Sequence, residues 1–588
     1  MDPHKETDRS RDRSQPLENL GPDETLKATS DYLRGTIEQS LADEITAGVA
    51  ESDNKLLKFH GMYQQDDRDI RDERRRQKLE PEYTFMVRLR LPGGVVSPSQ
   101  WLSIDDLARR FGRDSLRLTT RQTFQYHYIE RQNLKTLLQD LRDAVIDTKA
   151  ACGDDSRGVM STVNPHLSAL HGQVYAVASE ASDHAVHRTT GYEEIWYQEE
   201  RPAGEKKAPL KQVATGDETE PFYGKTYMPR KFKIGFAVPP SNDIDVYSQD
   251  LGFVAVAEQG ELKGFNVMIG GGMGRTDRAP ETYPRLADLI GYVDADQVIP
   301  VIDAVMSVQR DFGDRVNRAH ARFKYTVDDK GVEWIKAEIE NRLGFELGPV
   351  SPFEFTSNGD PLGWVEGEDG REHCTLFIQN GRLVNRPDSA LLDGMRALAE
   401  IHKGTFLLTP NQNVIVADVE PEDRPAIEAI MKEHRLGEFE GASGLRRNSM
   451  ACVAFPTCAL AMAESERYLP ELLTKVEEIL DRHGLTDDPI TIRMTGCPNG
   501  CARPYISEIG LTGRAPGKYN LYFGGGFHGQ RLNRMYLENV GEEAILEALE
   551  ETLGHYARER RPDEPFGDFT IRAGYVTEVK EGRLFSAP

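Results

Sequence analysis

Hydrophobic and polar positions along the chain predict the same small unit twice. Residues 83–91 and 115–129 show the alternation of strands, whereas residues 98–112 and 131–147 have the spacing of amphipathic helices. Residues 374–434 repeat this order of strand, helix, strand and helix. The pattern predicts a small α+β module in each half of the chain.

Three sequence matches extend the repeat beyond these modules. In chain order they are Thr119-x-x-Gln122 with Thr409-x-x-Gln412, Arg157-x-x-Met160 with Arg447-x-x-Met450, and Gly270–Gly272 with Gly524–Gly526. The third match has a smaller offset, so the second copy is the shorter one. Each module is followed by a longer segment of mixed strands and helices, at about 150–345 and 435–575.

The composition predicts a soluble protein of several domains. The chain has 588 residues, of which 38% are hydrophobic, and no apolar stretch is long enough to cross a bilayer. Since the amino terminus lacks a hydrophobic signal region, we expect a cytoplasmic location. A net charge of −24 argues against a nucleic-acid partner. Residues 1–25 are polar without periodicity and predict a disordered arm, and residues 202–220 predict an exposed loop.

Four of the six cysteines form two short clusters, Cys452-x5-Cys458 and Cys497-x3-Cys501. Paired cysteines of zinc sites have about two to four residues between them, so the five-residue gap argues against zinc. Ligation by cysteine alone favours an iron–sulfur cluster. Two disulfides or four buried thiols are the alternatives.

The two copies differ in the chemistry they carry. The aligned pairs are Cys452 with Thr162, Cys458 with Ser168, Arg117 with Leu407, and Arg121 with Asn411. The second half therefore supplies the cysteines and the first half supplies positive charge. This division predicts a polyanionic ligand at the junction of the halves.

Polar residues of the segment 115–129 form a second candidate site. If the segment is one strand, five side chains share a face: Arg117, Thr119, Arg121, Gln125 and His127. Such a face is either solvated or binds an anion. A second basic segment, Pro229–Lys233, is also strand-like, with Lys231 and Lys233 on one face and Arg230 on the other. Arg88 and Arg157 add cations near segment ends.

In this order, the motifs resemble those of the sirohaem-dependent sulfite and nitrite reductases. They are Arg117–Gln125, Pro229–Lys233, the Cys-x5-Cys cluster and Thr495–Cys501. The similarity runs from about Asp31 to the end and is greatest to the haemoprotein (beta) subunits of assimilatory NADPH-sulfite reductases. Phe59–Asp69 and the paired lysines 231 and 233 favour sulfite over nitrite as the substrate.

The resemblance implies two coupled cofactors. A 4Fe-4S cluster would be bound by Cys452, Cys458, Cys497 and Cys501, and the Cys501 sulfur would also be the proximal ligand of the sirohaem iron. Sirohaem carries eight carboxylates, whose burial needs cationic and hydrogen-bonding partners. The residues expected to bind it are Arg117, Thr119, Arg121, Gln125, His127, Arg230 and Asn499.

The resemblance also implies the reaction and the partner. Sulfite would be reduced by six electrons to sulfide on the distal face of the iron, among the catalytic residues Arg88, Arg157, Lys231 and Lys233. Electrons would come from an NADPH-oxidising flavoprotein (alpha) subunit. We expect no nicotinamide or flavin site in this chain, because a Gly-x-Gly-x-x-Gly motif from Gly270 would need glycine where Arg275 stands.

The implied fold is an internally duplicated α+β architecture around a central sirohaem. Its expected parts are an arm and partner-docking segment at 1–80, ferredoxin-like half-modules at 81–149 and 346–434, a first sirohaem-binding repeat domain at 150–345, and a second with the cluster at 435–588. No cofactor ligand is expected in the first 80 residues. We attribute the glycine triplets to close approach to the flat macrocycle, and we interpret Cys152 and Cys374 as ordinary buried thiols.

Two other functions fit the same motifs. The first is a ferredoxin-dependent sulfite or nitrite reductase, which the electron donor and the relative turnover of the two anions would distinguish. The second is a non-catalytic cluster-binding or assembly protein, which would lack sirohaem absorption.

Overall fold

A hairpin flanked by helices occurs twice along the chain, so the predicted repeat is present. The computed structural model describes residues 17–197, 220–437 and 441–586. The strands are β1 Met62–Asp66, β2 Tyr83–Arg88, β3 Val95–Val96, β4 Leu116–Leu118, β5 Phe124–Ile129, β6 Ile234–Ala237, β7 Leu251–Glu258, β8 Glu261–Ile269, β9 Asp288–Asp294, β10 Gly363–Glu366, β11 Glu372–Leu376, β12 Arg382–Leu383, β13 Asn385–Arg386, β14 Ser389–Ala390, β15 Thr405–Leu408, β16 Val414–Val419, β17 Ser449–Ala451, β18 Ile492–Thr495, β19 Ile509–Ala515, β20 Lys518–Phe523 and β21 Arg534–Val540.

The α-helices alternate with these strands along the chain. They are α1 Pro22–Thr29, α2 Ile37–Ala42, α3 Glu51–Leu56, α4 Arg71–Arg76, α5 Pro98–Phe111, α6 Leu134–Asp143, α7 Ala169–His184, α8 Gly191–Trp196, α9 Val298–Phe312, α10 Phe323–Lys330, α11 Val332–Leu343, α12 Leu391–Ile401, α13 Arg424–His434, α14 Gly444–Arg447, α15 Leu469–His483, α16 Glu542–Glu559 and α17 Phe566–Arg572. In the described ranges, no helix is long and apolar enough to cross a membrane.

The two half-modules exchange short edge strands. One sheet has the order β1-β2-β5-β4-β12 and the other the order β10-β11-β16-β15-β3. Strand β12 of the second copy pairs with β4, and β3 of the first copy pairs with β15. Trp101 of α5 packs between Phe124 and Phe406, with ring centroids 5.2 and 4.7 Å away. The modules therefore share one core and are interlocked rather than merely adjacent.

The two longer segments form a second pair of related sheets. Their orders are β6-β7-β8-β9 and β17-β18-β19-β20-β21. A parallel bridge between Met160 and Gly235 in the first copy takes the place of the β17–β18 pairing in the second. The predicted α+β class and the predicted duplication are thus confirmed.

Residues 115–129 are a hairpin and not one strand, so that part of the prediction is wrong. Strand β4 ends at Leu118, the Thr119 N–H donates to the Thr123 carbonyl, and β5 begins at Phe124. Gln122 reverses the chain with a left-handed φ of 51°. Arg121 therefore lies in the turn, whereas Arg117 and Gln125 face each other across the strands.

The repeat preserves the side chain that fixes this turn. The Gln122 amide exchanges two hydrogen bonds of 2.9 Å with the backbone of Ser161. Gln412 does the same with Ala451, at 2.9 and 3.3 Å. Each turn is thereby tied to the strand-like segment that follows in its own copy.

The amino-terminal segment is part of the folded body, which corrects two expectations. Residues 17–25 are not a disordered arm, because α1 begins at Pro22 and residues 17–19 form a 3-10 turn. Lys27 of α1 is buried and donates to Glu24 at 2.6 Å and to the Met228 carbonyl at 2.7 Å. Residues 1–16, and nearly all of the loop predicted at 202–220, lie outside the described residues.

Strand β1 also joins this segment to the first half-module. It pairs antiparallel with β2 over its whole length, from Met62 opposite Val87 to Asp66 opposite Tyr83. Residues 17–80 are therefore not a separate addition to the folded body. Their sheet hydrogen bonds make β1 the edge strand of the first half-module.

Candidate active site

A cavity of about 380 Å³ lies where the two halves meet. Most of the predicted site residues line it: Arg88, Arg117, Thr119, Gln125, His127, Arg157, Arg230, Lys231, Asn499, Cys452, Cys458, Cys497 and Cys501. Arg121 and Lys233 are not on its wall. The structure thus brings both candidate sites of the sequence into one space.

The cysteine loops follow two neighbouring parallel strands. Strands β17 and β18 pair in parallel, Cys452 comes directly after β17, and Cys497 comes two residues after β18. Carboxyl ends of parallel strands meet at one edge of a sheet, so the two loops converge there. The Gly496 N–H donates to the Cys452 sulfur at 3.3 Å, and the Asn499 amide donates to the Cys497 sulfur at 3.6 Å.

All six cysteines are free thiols, which excludes the two-disulfide alternative for the clusters. Burial, with the neighbouring thiols, raises the pKa of Cys452 to about 12 and raises the pKa values of Cys458 and Cys497 above their usual range. Buried thiols of this kind ionise when a bound cation takes up their charge. Among the described residues, no group of three or more His, Cys, Asp or Glu side chains is spaced for a single metal ion. Four thiols around a cavity suit a larger cluster.

The Cys501 loop is held from the first half of the chain. The Thr120 hydroxyl donates to the Cys501 carbonyl at 3.0 Å, and Arg503 donates to the Thr120 carbonyl at 2.9 Å. The turn that carries Arg121 therefore positions the cysteine loop. Cys501 is exposed and lies on the cavity wall, so its sulfur is accessible to a ligand in the cavity.

The cavity wall is also strongly cationic. Its positively charged residues are Lys58, Arg88, Arg117, Arg157, Arg230, Lys231 and Arg318, and Asp154 is the carboxylate among the wall residues. Asp154 contacts Arg318 at 2.7 Å and Arg230 at 3.7 Å. Burial opposes ionisation of Asp154, but Lys27 and Arg318 hold its pKa well below the usual value. One carboxylate does not balance this wall, which therefore suits an anionic ligand.

Arg230 and Lys231 both border the cavity, although the sequence placed them on opposite faces of a strand. The physical reason is that the segment is not a regular strand, since β6 begins only at Ile234. Burial, followed by the charges of Arg322 and Arg230, lowers the pKa of Lys231 well below its usual value. An anion beside Lys231 would oppose that shift.

Arg88 and Arg157 are fixed by the segment 151–157. The Arg157 guanidinium donates to the Gly153 carbonyl at 3.1 Å and to the Ala151 carbonyl at 3.3 Å. Arg88 donates to the Cys152 sulfur at 3.1 Å. Cys152 is therefore more than an ordinary buried thiol, because it orients a guanidinium of the cavity wall. Cys374 is buried in the hydrophobic core, as expected.

Arg117 also links the two halves of the chain. Its guanidinium contacts Glu466 and donates to the Ala451 carbonyl at 2.8 Å. Arg382 of β12 contacts the same Glu466 at 2.6 Å. The Glu466 carboxylate is thus shared by Arg117 and Arg382. These two arginines are opposite each other in the pairing of β4 with β12.

Some wall residues could not be assigned from the sequence. Lys58, Tyr63, Gln64 and Gln65 come from the segment in which no cofactor ligand was expected, and they line the cavity. They reach the cavity because β1 is an edge strand of the first half-module. The motif Phe59–Asp69 was a signal for this region, but it did not indicate which side chains face inward.

The glycine triplets have a different role from the one expected. A Cβ on Gly271 would lie 2.3 Å from the Tyr247 carbonyl oxygen, and one on Gly525 would lie 2.1 Å from that of Ser507. These glycines therefore allow close packing against the chain's own backbone. Neither triplet borders the cavity, so an approach to the macrocycle does not explain them.

His127 provides a test of whether a ligand fits the cavity. The residue lies on the wall, and its Nε2 atom is buried without a hydrogen-bond partner in the part of the chain that the structure describes. Its Nδ1 atom is 3.3 Å from both Gln65 Oε1 and Thr457 Oγ1. A buried unpaired nitrogen is costly, so a polar ligand group is expected beside it.

Comparison with known proteins identifies the family. Residues 181–347 and 443–581 match the nitrite and sulphite reductase 4Fe-4S domain, and residues 76–144 and 365–434 match the nitrite/sulfite reductase ferredoxin-like half domain. The chain belongs to the nitrite and sulfite reductase family. All four clustered cysteines lie in the second 4Fe-4S match. The predicted family is confirmed.

Relatives match over the whole chain. The sulfite reductase (NADPH) hemoprotein beta-component of Nitrobacter winogradskyi is 71% identical over 586 residues and covers 100% of both chains. The protein of the same name from Shouchella clausii is 55% identical and covers 96% of this chain and 97% of its own. The solved structure of the Mycobacterium tuberculosis NirA protein has a TM-score of 0.76 at 23% identity, covering 97% and 99% of the two chains. This last similarity shows a common fold.

Proposed function

We propose that this chain is the haemoprotein component of an assimilatory NADPH-sulfite reductase, reducing sulfite to sulfide. Sulfite, six electrons and seven protons give hydrosulfide and three water molecules. The observation that carries the proposal is the cavity wall, which combines four free thiols with seven cationic side chains and one carboxylate. The full-length relatives named sulfite reductase (NADPH) hemoprotein beta-component support the assignment.

The residues present fit a 4Fe-4S cluster and a sirohaem. Cys452, Cys458, Cys497 and Cys501 would hold the cluster, and Cys501 would also bind the sirohaem iron. When bound, this pair supplies the electrons and the iron at which sulfur–oxygen bonds break. The arginines of the wall would meet the sirohaem carboxylates, and His127 Nε2 would find a polar partner.

The chain's own residues would bind the anion and supply protons. Arg157 and Arg88 are held by backbone carbonyls and by Cys152, so their charges are fixed before the substrate arrives. Lys231 has a lowered pKa and gives up a proton more readily than an exposed lysine. It is therefore suited to act as a general acid.

Arg121 and Lys233 lie behind this wall. Arg121 donates to the Gly158 carbonyl at 2.7 Å and to Gln249 at 3.1 Å. Burial and the charges of Lys231 and Arg121 lower the pKa of Lys233 well below its usual value. We propose that both residues act on the site through their charge on Lys231 and the neighbouring arginines.

The experiment is a comparison of substrates and donors with the purified chain. We expect sulfide from sulfite with a reduced dye, a higher kcat/KM for sulfite than for nitrite, and NADPH-driven turnover only when the flavoprotein is added. A preference for nitrite, or efficient turnover with ferredoxin, would favour the alternative reductase. Cluster absorption without sirohaem absorption would favour a non-catalytic protein.

We propose further that the flavoprotein docks on the first 80 residues, close to the cluster. Arg68 donates to the Cys458 carbonyl at 3.2 Å, and its guanidinium lies 4.4 Å from the Phe455 ring centroid. Asp69 is half exposed and pairs with Arg467 at 2.6 Å. This segment therefore offers a charged surface beside the loop of a cluster ligand.

Charge reversal tests the docking surface. We expect Asp69→Lys, and removal of residues 2–16, to lower the flavoprotein-driven rate while the dye-driven rate stays within about two-fold. Asp143→Lys is the matched control, because Asp143 is also exposed and pairs with an arginine, but lies on α6. Equal loss with both donors would place the electron donor elsewhere.

We place the reaction in the cytoplasm. The support is that all six cysteines are free, which is usual in a reducing compartment. Growth of a strain that lacks the gene for this chain, with sulfate as the sulfur source, would test the assimilatory role. Unchanged growth would contradict it.

A further inference from the structure

A second, smaller cavity adjoins the main one. It has a volume of about 130 Å³, and we call it the vestibule. Its charged lining residues are Asp23, Lys27, Lys55, Lys58, Asp154 and Arg318. Lys58, Asp154 and Arg318 belong to the walls of both cavities, together with Gly153, so the two spaces are contiguous.

The vestibule runs from the surface to the buried wall of the main cavity. At its outer end, the Lys55 side chain is 39% exposed, and Arg318, at the junction with the main cavity, is 40% exposed. At its inner end, Lys27 and Asp154 are 3% and 6% exposed. The inner end lies next to Arg230, which contacts Asp154 at 3.7 Å. The passage therefore ends at the cationic wall rather than at the cysteine loops.

The charges of the vestibule favour an anion. Four cations line it against two carboxylates, and most of those cations already have partners. Lys55 pairs with Asp23 at 2.9 Å, and Arg318 pairs with Asp154 at 2.7 Å. A lined passage with net positive charge concentrates small anions.

Lys58 differs from its neighbours. Across the described residues it has no carboxylate within ion-pair distance, and its ammonium lies 5.5 Å from the Tyr63 ring centroid. Burial, followed by the positive charge of Arg318, lowers its pKa. A half-buried cation that forms no direct ion pair, at the junction of two cavities, is suited to accept a transient anionic partner.

We propose that the vestibule is the entry passage of the anionic substrate, and that Lys58 transfers this small oxyanion to the distal wall of Arg157 and Lys231. The inference rests on the proposed function, which supplies the oxyanion. It also assigns α1 and α3 a role, since Asp23, Lys27 and Lys55 lie on these helices. The amino-terminal segment then forms part of the substrate path.

The test compares kcat/KM for sulfite at low and high salt, using the holoenzyme and a reduced dye. We expect Lys58→Met to lower kcat/KM about 10-fold at low salt, to weaken its salt dependence, and to change kcat less than two-fold. Leu26→Trp, which narrows the vestibule without changing charge, is expected to lower kcat/KM at both salt concentrations. Sirohaem content, measured by absorption, is expected to equal that of the wild-type protein.

The control is Lys225→Met, since Lys225 also lies over a tyrosine ring, at 5.9 Å from the Tyr32 centroid, but lines neither cavity. It is expected to leave all parameters unchanged. Wild-type kcat/KM in both Lys58→Met and Leu26→Trp would overturn the proposal. Loss of sirohaem from Lys58→Met would also overturn it, because Lys58 would then bind the macrocycle. A wild-type enzyme without sulfite turnover would instead contradict the proposed function.

Discussion

The two copies place different chemistry at the same backbone positions. Cys452 aligns with Thr162, whose hydroxyl donates to the buried carboxylate of Asp243 at 3.0 Å. Cys458 aligns with Ser168, whose hydroxyl accepts the His171 N–H and caps helix α7. In the first copy these positions therefore stabilise the fold, whereas in the second they face the cavity as free thiols.

At strand β4 the first copy carries the site residue and the second copy carries the core residue. Arg117 of the first copy lies on the cavity wall, and the aligned Leu407 of the second packs in a small core with Val163 and Ile415. Duplication thus kept the backbone and divided the chemistry, with positive charge from one copy and free thiols from the other. One site is formed because the exchanged strands bring the two copies together.

The largest effect is expected from the second copy's Cys501. We expect Cys501→Ser to abolish sulfite reduction and the electronic coupling of cluster and sirohaem, because oxygen is a poor substitute for a soft bridging sulfur. EPR and visible spectra of the purified variant measure the coupling. Cys374→Ser is the control, since this core thiol is away from the cavity and its loss should leave the spectra unchanged. Coupled spectra with normal turnover in Cys501→Ser would refute the bridging role.

A smaller but still large effect is expected from the first copy's Lys231. We expect Lys231→Ala to retain sirohaem and to lower kcat for sulfite about 100-fold, the usual contribution of a general acid. Lys233→Ala should also retain sirohaem and lose turnover, but less, because Lys233 is not on the wall. Steady-state kinetics and sirohaem absorption provide the two readouts. Loss of sirohaem in both variants would show that these lysines bind the macrocycle instead.

Variants of Arg117 and Arg382 distinguish two roles, which are binding of the cofactor and contact between the two copies. Both contact Glu466, but Arg117 alone of the two lies on the cavity wall. We expect each alanine variant to lose about 2 kcal/mol of unfolding free energy, because Glu466 keeps one partner. Of these two variants, only Arg117→Ala should lose sirohaem. Arg121→Ala should also lose sirohaem, but to a lesser degree.

Thermal unfolding and sirohaem content distinguish the two effects. Full sirohaem content in Arg117→Ala would contradict its predicted role in binding the cofactor. Sirohaem loss from Arg382→Ala to the same degree would show that joining the copies, and not the cavity charge, retains the macrocycle.

The last variants are expected to affect stability and not turnover, and they concern a buried acid that precedes corresponding strands in the two copies. Asp250, before β7, pairs with Arg322 at 3.2 Å. Glu508, before β19, accepts hydrogen bonds from the Thr491 and Gly567 N–H groups, at 2.8 and 2.9 Å, and burial raises its pKa to about 7. Between pH 4.5 and 7 the folded protein therefore binds more protons at Glu508 than the unfolded chain.

The contribution of Glu508 to the free energy of unfolding thus falls by up to about 3 kcal/mol as the pH rises from 4.5 to 7. We expect the Tm advantage of the wild-type protein over Glu508→Gln to be greater at pH 5 than at pH 8. Asp250→Asn should instead lose stability at neutral pH, since it leaves Arg322 without this carboxylate. A constant difference between wild type and Glu508→Gln across the range would show that Glu508 does not titrate there.

The sequence predicted the duplication and most of the site because both rest on local patterns. Cysteine spacing, the Thr-x-x-Gln repeat and the basic motifs are visible in one dimension. The hairpin at 119–123 was missed because its turn contains no glycine or proline, and Gln122 adopts a left-handed φ with support from the distant Ser161.

The sequence also could not show which distant residues lie together in the fold. Strands β3 and β12 have two residues each, too few for a periodic signal, yet they join the two half-modules. Lys58 has its role because it lines both cavities, and Cys152 because it contacts Arg88, and residue spacing determines neither placement. Charge alone likewise could not show that Arg117 already has a carboxylate partner.

The most direct test of the shared cavity is the EPR spectrum of the purified wild-type chain, recorded with its visible spectrum and iron content. Thiols of one copy and cations of the other should hold a sirohaem and a 4Fe-4S cluster in contact. We therefore expect four cluster irons and one haem iron per chain, with signals that show the two centres to be magnetically coupled. Independent signals from a cluster and a haem, or a cluster without sirohaem, would contradict a single site built by both copies.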